Sequence, residues 1–266
     1  MSNILYRLTC LTNLHMGSGD INYDVIDLEV ERDPVLMEPT MNASGVKGAL
    51  RDYCKKTMSD DDLLFVFGGK AKNDDDNGAQ RNNQGTQQGF YNFFSGDMLA
   101  RPIRISEGEG AYLLATTPDI LKTLLRKLHA FGFCIGYNEN DIPALPQDGS
   151  VLSPVNIISV EGQKVTNGTC AYLSALLGSD HWVLMSSQQL RDIDLPVLAH
   201  NVLEDGISKN LWYEQVVPHE SVFLLIISGL ENDDRLSKTL TKKCMVQFGA
   251  GATTGNGYTL MEQLEV

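Results

Sequence analysis

Four groups of residues in this chain have types and spacings that can do chemistry. The first is His15 with Gly17 and Gly19, in a loop after an apolar run. An imidazole there either contacts a phosphate or ribose or bonds a neighbouring carbonyl. The second is Asp27, inside the alternating apolar stretch 25–30, with Asp24 and Asp33 close in sequence. Such a carboxylate can hold a divalent cation or assist attack by a ribose 2′-hydroxyl; the alternative is an ordinary loop or edge carboxylate. The third is segment 44–51, where Ser44 reads as an N-cap and Lys47 and Arg51 follow. A helix N-terminus beside two cations is a recurrent phosphate site, and the alternative is a solvated helix face. The fourth is segment 249–257, with Gly249, Thr253, Gly255 and Gly257. Its backbone N–H groups suit phosphates, and the alternative is a long hairpin turn. Thr254 stands where a dinucleotide fingerprint needs glycine, and no P-loop lysine follows. No zinc-type Cys/His spacing or Ser/His/Asp motif is present.

These groups need elements to position them. Residues 5–12 read as a strand that delivers His15, and 25–30 as a second short β-prone stretch. From Val46 to about residue 57 the pattern is helical. Val46, Leu50 and Tyr53 make an apolar stripe, and Lys47, Arg51 and Lys55 a basic stripe beside it. Residues 111–116 read as a strand, after which Thr117 and Pro118 open a helix whose core face is Ile120, Leu121, Leu124, Leu125 and Leu128. Residues 221–228 read as a buried central strand, 232–242 as a polar helix, and 244–248 and 258–264 as strands joined by the glycine loop. Residues 70–88 are low-complexity and read as a mobile loop. Segment 194–209 projects as a hairpin or thumb; 136–168, rich in Pro, Gly and Asn, gives no clear pattern. The order predicts one α+β domain over 1–266, with a ferredoxin-like or RRM-like βαββαβ core and large insertions.

Composition bounds the partners. The 266 residues, 42% hydrophobic and 21% charged, fit one large globular domain. No apolar run approaches the roughly 18 residues of a membrane span. The first residues lack the charged start and apolar core of a signal peptide. Five scattered cysteines without a C-x-x-C pair predict reduced, packed thiols and a cytoplasmic location. A net charge of −13 argues against indiscriminate nucleic-acid binding. Two aspartate triplets, 60–62 and 74–76, carry six of those charges, and the remainder is still acidic. A nucleic-acid surface must then be a local patch or be completed by partner subunits.

A fifth block, Leu211, Trp212, Tyr213, Glu214 and Pro218, completes an ordered set with the other four. Glu31, Arg32 and Asp33 follow Asp27, and Gly48 lies between Lys47 and Arg51. Together these blocks resemble the RAMP superfamily of CRISPR-associated RNA-binding proteins, and most closely the backbone ribonuclease subunits of type III-B (Cmr) effector complexes. The last loop departs from that family's pattern: Ala250 replaces a glycine and Gly251 an asparagine. A backbone cradle is kept there, but not the asparagine side chain.

The resemblance implies an RRM-like palm with finger and thumb insertions, the thumb at about 193–216. It implies copies stacked along a crRNA, whose backbone is held by His15, Gly17, Gly19, Ser44, Lys47, Arg51, Gly249, Thr253 and Gly255. It implies that the thumb distorts the guide–target duplex, and that Asp27 cleaves the target RNA there with a divalent ion, Mg²⁺, held at Asp27. Tyr213 and Glu214 are implied as site organisers, and other Cmr-complex subunits as partners, with no membrane. Three rivals stand beside this reading. One is a non-catalytic crRNA-binding scaffold. Another is an acidic metal-dependent enzyme on a small phosphorylated substrate, with Asp24, Asp27 and Asp33 as ligands. The third is a purely structural assembly protein.

Overall fold

The continuous apolar run near residue 225 dictates the centre of the molecule. Val222–Gly229 is buried at every position, as a strand covered on both faces must be. In the computed structural model, which describes residues 2–17, 25–69, 86–108, 110–249 and 255–265, Ser2–Cys10 pairs antiparallel with it. Tyr6 lies opposite Leu225, and Leu8 opposite Phe223. Tyr258–Leu264 lies on the far side of Ser2–Cys10, and Lys243–Gln247 pairs outside it; both pairings are antiparallel. Gly96–Glu107 lies antiparallel on the other side of Val222–Gly229.

Gly96–Glu107 is long enough to serve two structures. Beyond its contact with the central strand it pairs with Tyr112–Thr116. Pairing then runs through Trp182–Leu184, Val151–Ser153, Gln163–Asn167 and Ser159–Val160, and returns to Gly96–Glu107. The ring closes, which removes exposed edges in that half. Leu99, Ile103, Leu113, Val151 and Trp182 belong to the apolar cluster in this half. A second cluster, with Tyr6, Leu8, Val46, Leu50 and Phe223, lies under the helix Ala43–Cys54. The architecture is α+β with a sheet-rich core. Segment 136–168 supplies three of the ring's short strands, too brief to show a period.

The helix Pro118–Ala130 matches its sequence pattern: the Thr117 side chain accepts the Ile120 N–H, and all five predicted core residues are buried. The helix Ala43–Cys54 corrects its own. Asn42, not Ser44, is the N-cap, and its side-chain oxygen accepts the Ser44 N–H at 3.0 Å. Residues 55–57 are turn rather than helix. The polar helix expected over 232–242 shrinks to Arg235–Thr239. Asn232 has a positive φ of 64°, and only Leu236 and Leu240 bury apolar surface, too little to hold a longer helix. Stretch 25–30 forms no regular strand; it makes isolated bridges, Leu28 to Glu214 and Val30 to Gly17.

Segment 194–209 is part of a hairpin, Val197–Glu204 with Ile207–Gln215. Asp205 and Gly206 both have positive φ, which the two-residue turn matching strand twist requires. The two strands form a sheet of their own. Val202, Leu203, Ile207 and Leu211 are exposed along it. Within the low-complexity stretch, Gln87–Gln88 pairs with Gly68–Gly69, and residues 70–85 lie outside the described residues. The described cysteines are free thiols, and only Cys134 is exposed.

Candidate functional site

Three backbone stretches meet where the hairpin joins the sheet. Leu14 and Val217 exchange hydrogen bonds of 2.9 and 2.8 Å. Glu31 donates its N–H to the Met16 carbonyl, and Gln215 donates to that of Leu28. The loop after the first strand, the segment 25–32 and the hairpin root are therefore one stitched surface. Asp27 is fixed on it from two directions. Its Oδ2 accepts the Tyr213 N–H at 2.8 Å, and its own N–H donates to the Tyr213 carbonyl at 3.1 Å. Tyr213 thus organises the carboxylate through its backbone.

The next residue holds the histidines. Glu214 is buried, and its Oε2 lies 2.8 Å from His200 Nε2. Its Oε1 lies 3.7 Å from His15 Nδ1. A buried carboxylate needs such partners. His15 Nδ1 is also 2.8 Å from the Gln215 carbonyl. A carbonyl only accepts, so Nδ1 carries a hydrogen, and in the neutral ring Nε2 is the base. The His200 ring stacks on Trp212, with centroids 5.1 Å apart and 17° between planes. A Cβ at Gly17 would stand 2.9 Å from His15 Nε2, so the small residue makes room for the ring.

The glycine loop is pressed onto the same place. Gly249 has φ 57°, and a Cβ on it would stand 2.1 Å from the His15 carbonyl oxygen. Gly257 donates its N–H to the Asn13 carbonyl at 2.8 Å. The two ends of the loop are therefore tied to residues 13–15. Gly255 is exposed with φ 94°. The helix Ala43–Cys54 starts against the loop after the first strand, since a Cβ on Gly45 would meet the Met16 side chain at 3.1 Å.

The basic stripe divides in two. Arg51 donates from Nη1 to the Gly68 carbonyl at 2.8 Å and packs on Gly69, so it clamps the start of the low-complexity segment. Lys55 pairs with Asp52. Lys47 is half-buried, and Ser44 is exposed with its hydroxyl bonded to Asn42. Gly19, Asp24 and Thr253 lie outside the described residues. Asp33 is spent on a turn, its Oδ1 accepting the N–H groups of Val35 and Leu36. Among the described residues no three His, Cys, Asp or Glu side chains group as a metal site. Those residues therefore do not make a protein-only site for a divalent ion. Among them, no helix is long and apolar enough to cross a membrane.

Sequence reasoning missed His200, Gln215 and the role of Trp212 as a stacking platform. The signal was the Asp205-Gly206 turn, which folds the two arms together. A bulge at Val202 and Leu203 shifts the register, and that shift is what sets His200 opposite Trp212.

The class this defines is an α+β chain carrying a carboxylate, two histidines and a glycine loop at the root of a projecting hairpin. The chain belongs to the RAMP superfamily, whose model matches residues 7–260. No curated protein matches the chain significantly. Its fold is similar to that of a chain in the apo-state cryo-EM structure of a type III-B Cmr-beta complex, with TM-score 0.78, 20% identity, and 99% of this chain and 97% of that one covered. A chain of Cmr-beta bound to cognate target RNA aligns with TM-score 0.75 and 18% identity, covering 99% and 97%. Oligomeric Cmr4 from Pyrococcus furiosus aligns with TM-score 0.69 and 18% identity, covering 100% and 99%.

Proposed function

We propose that this chain is a backbone subunit of a type III-B (Cmr) CRISPR effector complex, which holds crRNA along a filament of its own copies and cleaves complementary target RNA at regular intervals. The observation that carries the reading is Asp27, held by the Tyr213 backbone at the hairpin root beside the His15–Glu214–His200 cluster. The likeness to chains of Cmr complexes, one bound to cognate target RNA, supports it. So does the antiparallel order of Tyr258–Leu264, Ser2–Cys10, Val222–Gly229 and Gly96–Glu107, which fits a ferredoxin-like palm with Lys243–Gln247 added at its edge.

The mechanism follows from placement. In-line attack by a 2′-hydroxyl needs a splayed backbone that continuous A-form geometry forbids. The hairpin's exposed apolar arms, with Val202, Leu203, Ile207 and Leu211, are able to enter a duplex and splay it. Asp27, fixed at its root, then takes or orients the hydroxyl proton. His15, Gly17, Gly249 and Gly255 line the adjoining loops as backbone contacts, with Lys47 as a phosphate cation. Mg²⁺ would be held by Asp27 together with RNA phosphate oxygens, as an ion that favours oxygen ligands. Other subunits of the complex offset the acidic balance, and the setting is cytoplasmic.

The test is cleavage of a labelled complementary RNA by complexes assembled with Asp27→Ala. The expected loss in rate is about 10²–10⁴-fold, with guide binding and assembly intact. Loss of assembly would refute the catalytic assignment. Full cleavage by the variant would remove the catalytic role from Asp27, and intact target with both proteins despite tight binding would leave a guide-binding scaffold.

A further inference from the structure

A second constellation lies beside the site, in a cavity of about 250 Å³ between the 32–38 turn, strand Gly96–Glu107 and the segment leading into the hairpin. Arg32, Arg101 and Arg191 line it, opposed by Glu38 and Asp194. Guanidinium groups thus outnumber carboxylates. Arg101 is only 4% exposed, yet its Nε has no hydrogen-bond partner. Its Nη2 donates to the carbonyls of Leu190 and Ile193, which locks the side chain in place. Glu38 approaches to 3.7 Å, an ion-pair distance too long for a hydrogen bond. A buried N–H on a locked guanidinium costs free energy until an acceptor arrives. The cavity holds several water volumes of about 30 Å³ each, room for a tetrahedral oxyanion.

We propose that this cavity is a phosphoryl-anion site, with Arg32, Arg101 and Arg191 as its donors. Arginine's planar fork suits phosphate oxygens better than a lysine point charge does. The cavity is wired to the hairpin root: Arg32 also bonds the Gln215 side chain, whose own backbone carbonyl holds His15. An occupied site would therefore pin the start and end of the hairpin together. The anion comes from an RNA phosphodiester or from a free phosphate or nucleotide; the first source rests on the function proposed above, and the site itself does not.

The experiment separates these. The full chain is melted in inorganic phosphate against chloride at fixed ionic strength, as wild type, Arg191→Gln and Arg101→Gln. A saturable rise in Tm is expected for wild type, with phosphate affinity roughly tenfold weaker in Arg191→Gln. Arg191 is exposed, so its variant reports even where Arg101→Gln fails to fold. An equal or unsaturable rise in wild type and Arg191→Gln would overturn the site. In a second arm, single-stranded RNA is titrated at several salt concentrations. A salt slope lower by about one in Arg191→Gln assigns the anion to RNA. An unchanged slope, or no RNA binding at all, with phosphate binding intact assigns it to a free phosphate or nucleotide.

Discussion

Ile207–Gln215 and Val222–Gly229 follow one another in the chain and live in opposite environments. The second is buried at every residue; the first is exposed through most of its length and becomes buried only at Glu214. One strand is held by both neighbours in the sheet, and the other pairs along its length with its own hairpin arm and is bridged to the body at its root, by Leu28 to Glu214. The candidate chemistry sits at the border between them. Tyr213 is exposed and fixes Asp27, while Glu214 is buried and fixes two histidines. A rigid root beneath a projecting arm gives a reacting group both precision and access.

That contrast can be broken at graded cost. The largest effect is expected at Leu225, fully buried opposite Tyr6. Leu225→Ala should lower unfolding free energy by about 2–5 kcal/mol in a denaturant titration. A cost near that of a surface change would mean that this strand is not the centre of the core. Next comes Gly249→Ala, which adds a Cβ 2.1 Å from the His15 carbonyl at a left-handed backbone position. It should cost about 1–3 kcal/mol and weaken RNA binding as the loop moves off His15. Unchanged melting and binding would detach the glycine loop from the site.

Lys47 and Arg51 sharpen the comparison on the helix. Lys47→Ala should reduce the salt slope of RNA binding by about one without moving Tm. Arg51→Ala should lower Tm, because the Gly68 carbonyl loses its donor. Identical behaviour of the two variants would merge roles the structure separates. The smallest effect belongs to the arm itself: Ile207→Ala, at a 64% exposed position, should stay within about 0.5 kcal/mol. A larger cost would mean that the hairpin packs on the body.

How much of this was legible depends on where the signal lies. The buried strand and the Pro118–Ala130 helix carry their pattern in consecutive residues, and both were readable. Asp27, His15 and the glycine loop were visible as residue types in an ordered set. Their joining was not, because it rests on backbone bonds between residues almost 200 positions apart, as from Tyr213 to Asp27. The cap of the Ala43–Cys54 helix was misplaced because Asn42 and Ser44 are both good cap residues, and only geometry chooses between them. Arg101 hid inside an apolar strand, and the bulge that pairs His200 with Trp212 has no local sequence mark.

The most direct test of the central claim is target cleavage by complexes carrying Asp27→Asn beside wild type. The amide oxygen can still accept the Tyr213 N–H, so the local fold is kept while the charge is lost. Regularly spaced products from wild type, absent from Asp27→Asn with guide and target binding unchanged, is the predicted result. The same products at the same rate from both would contradict it.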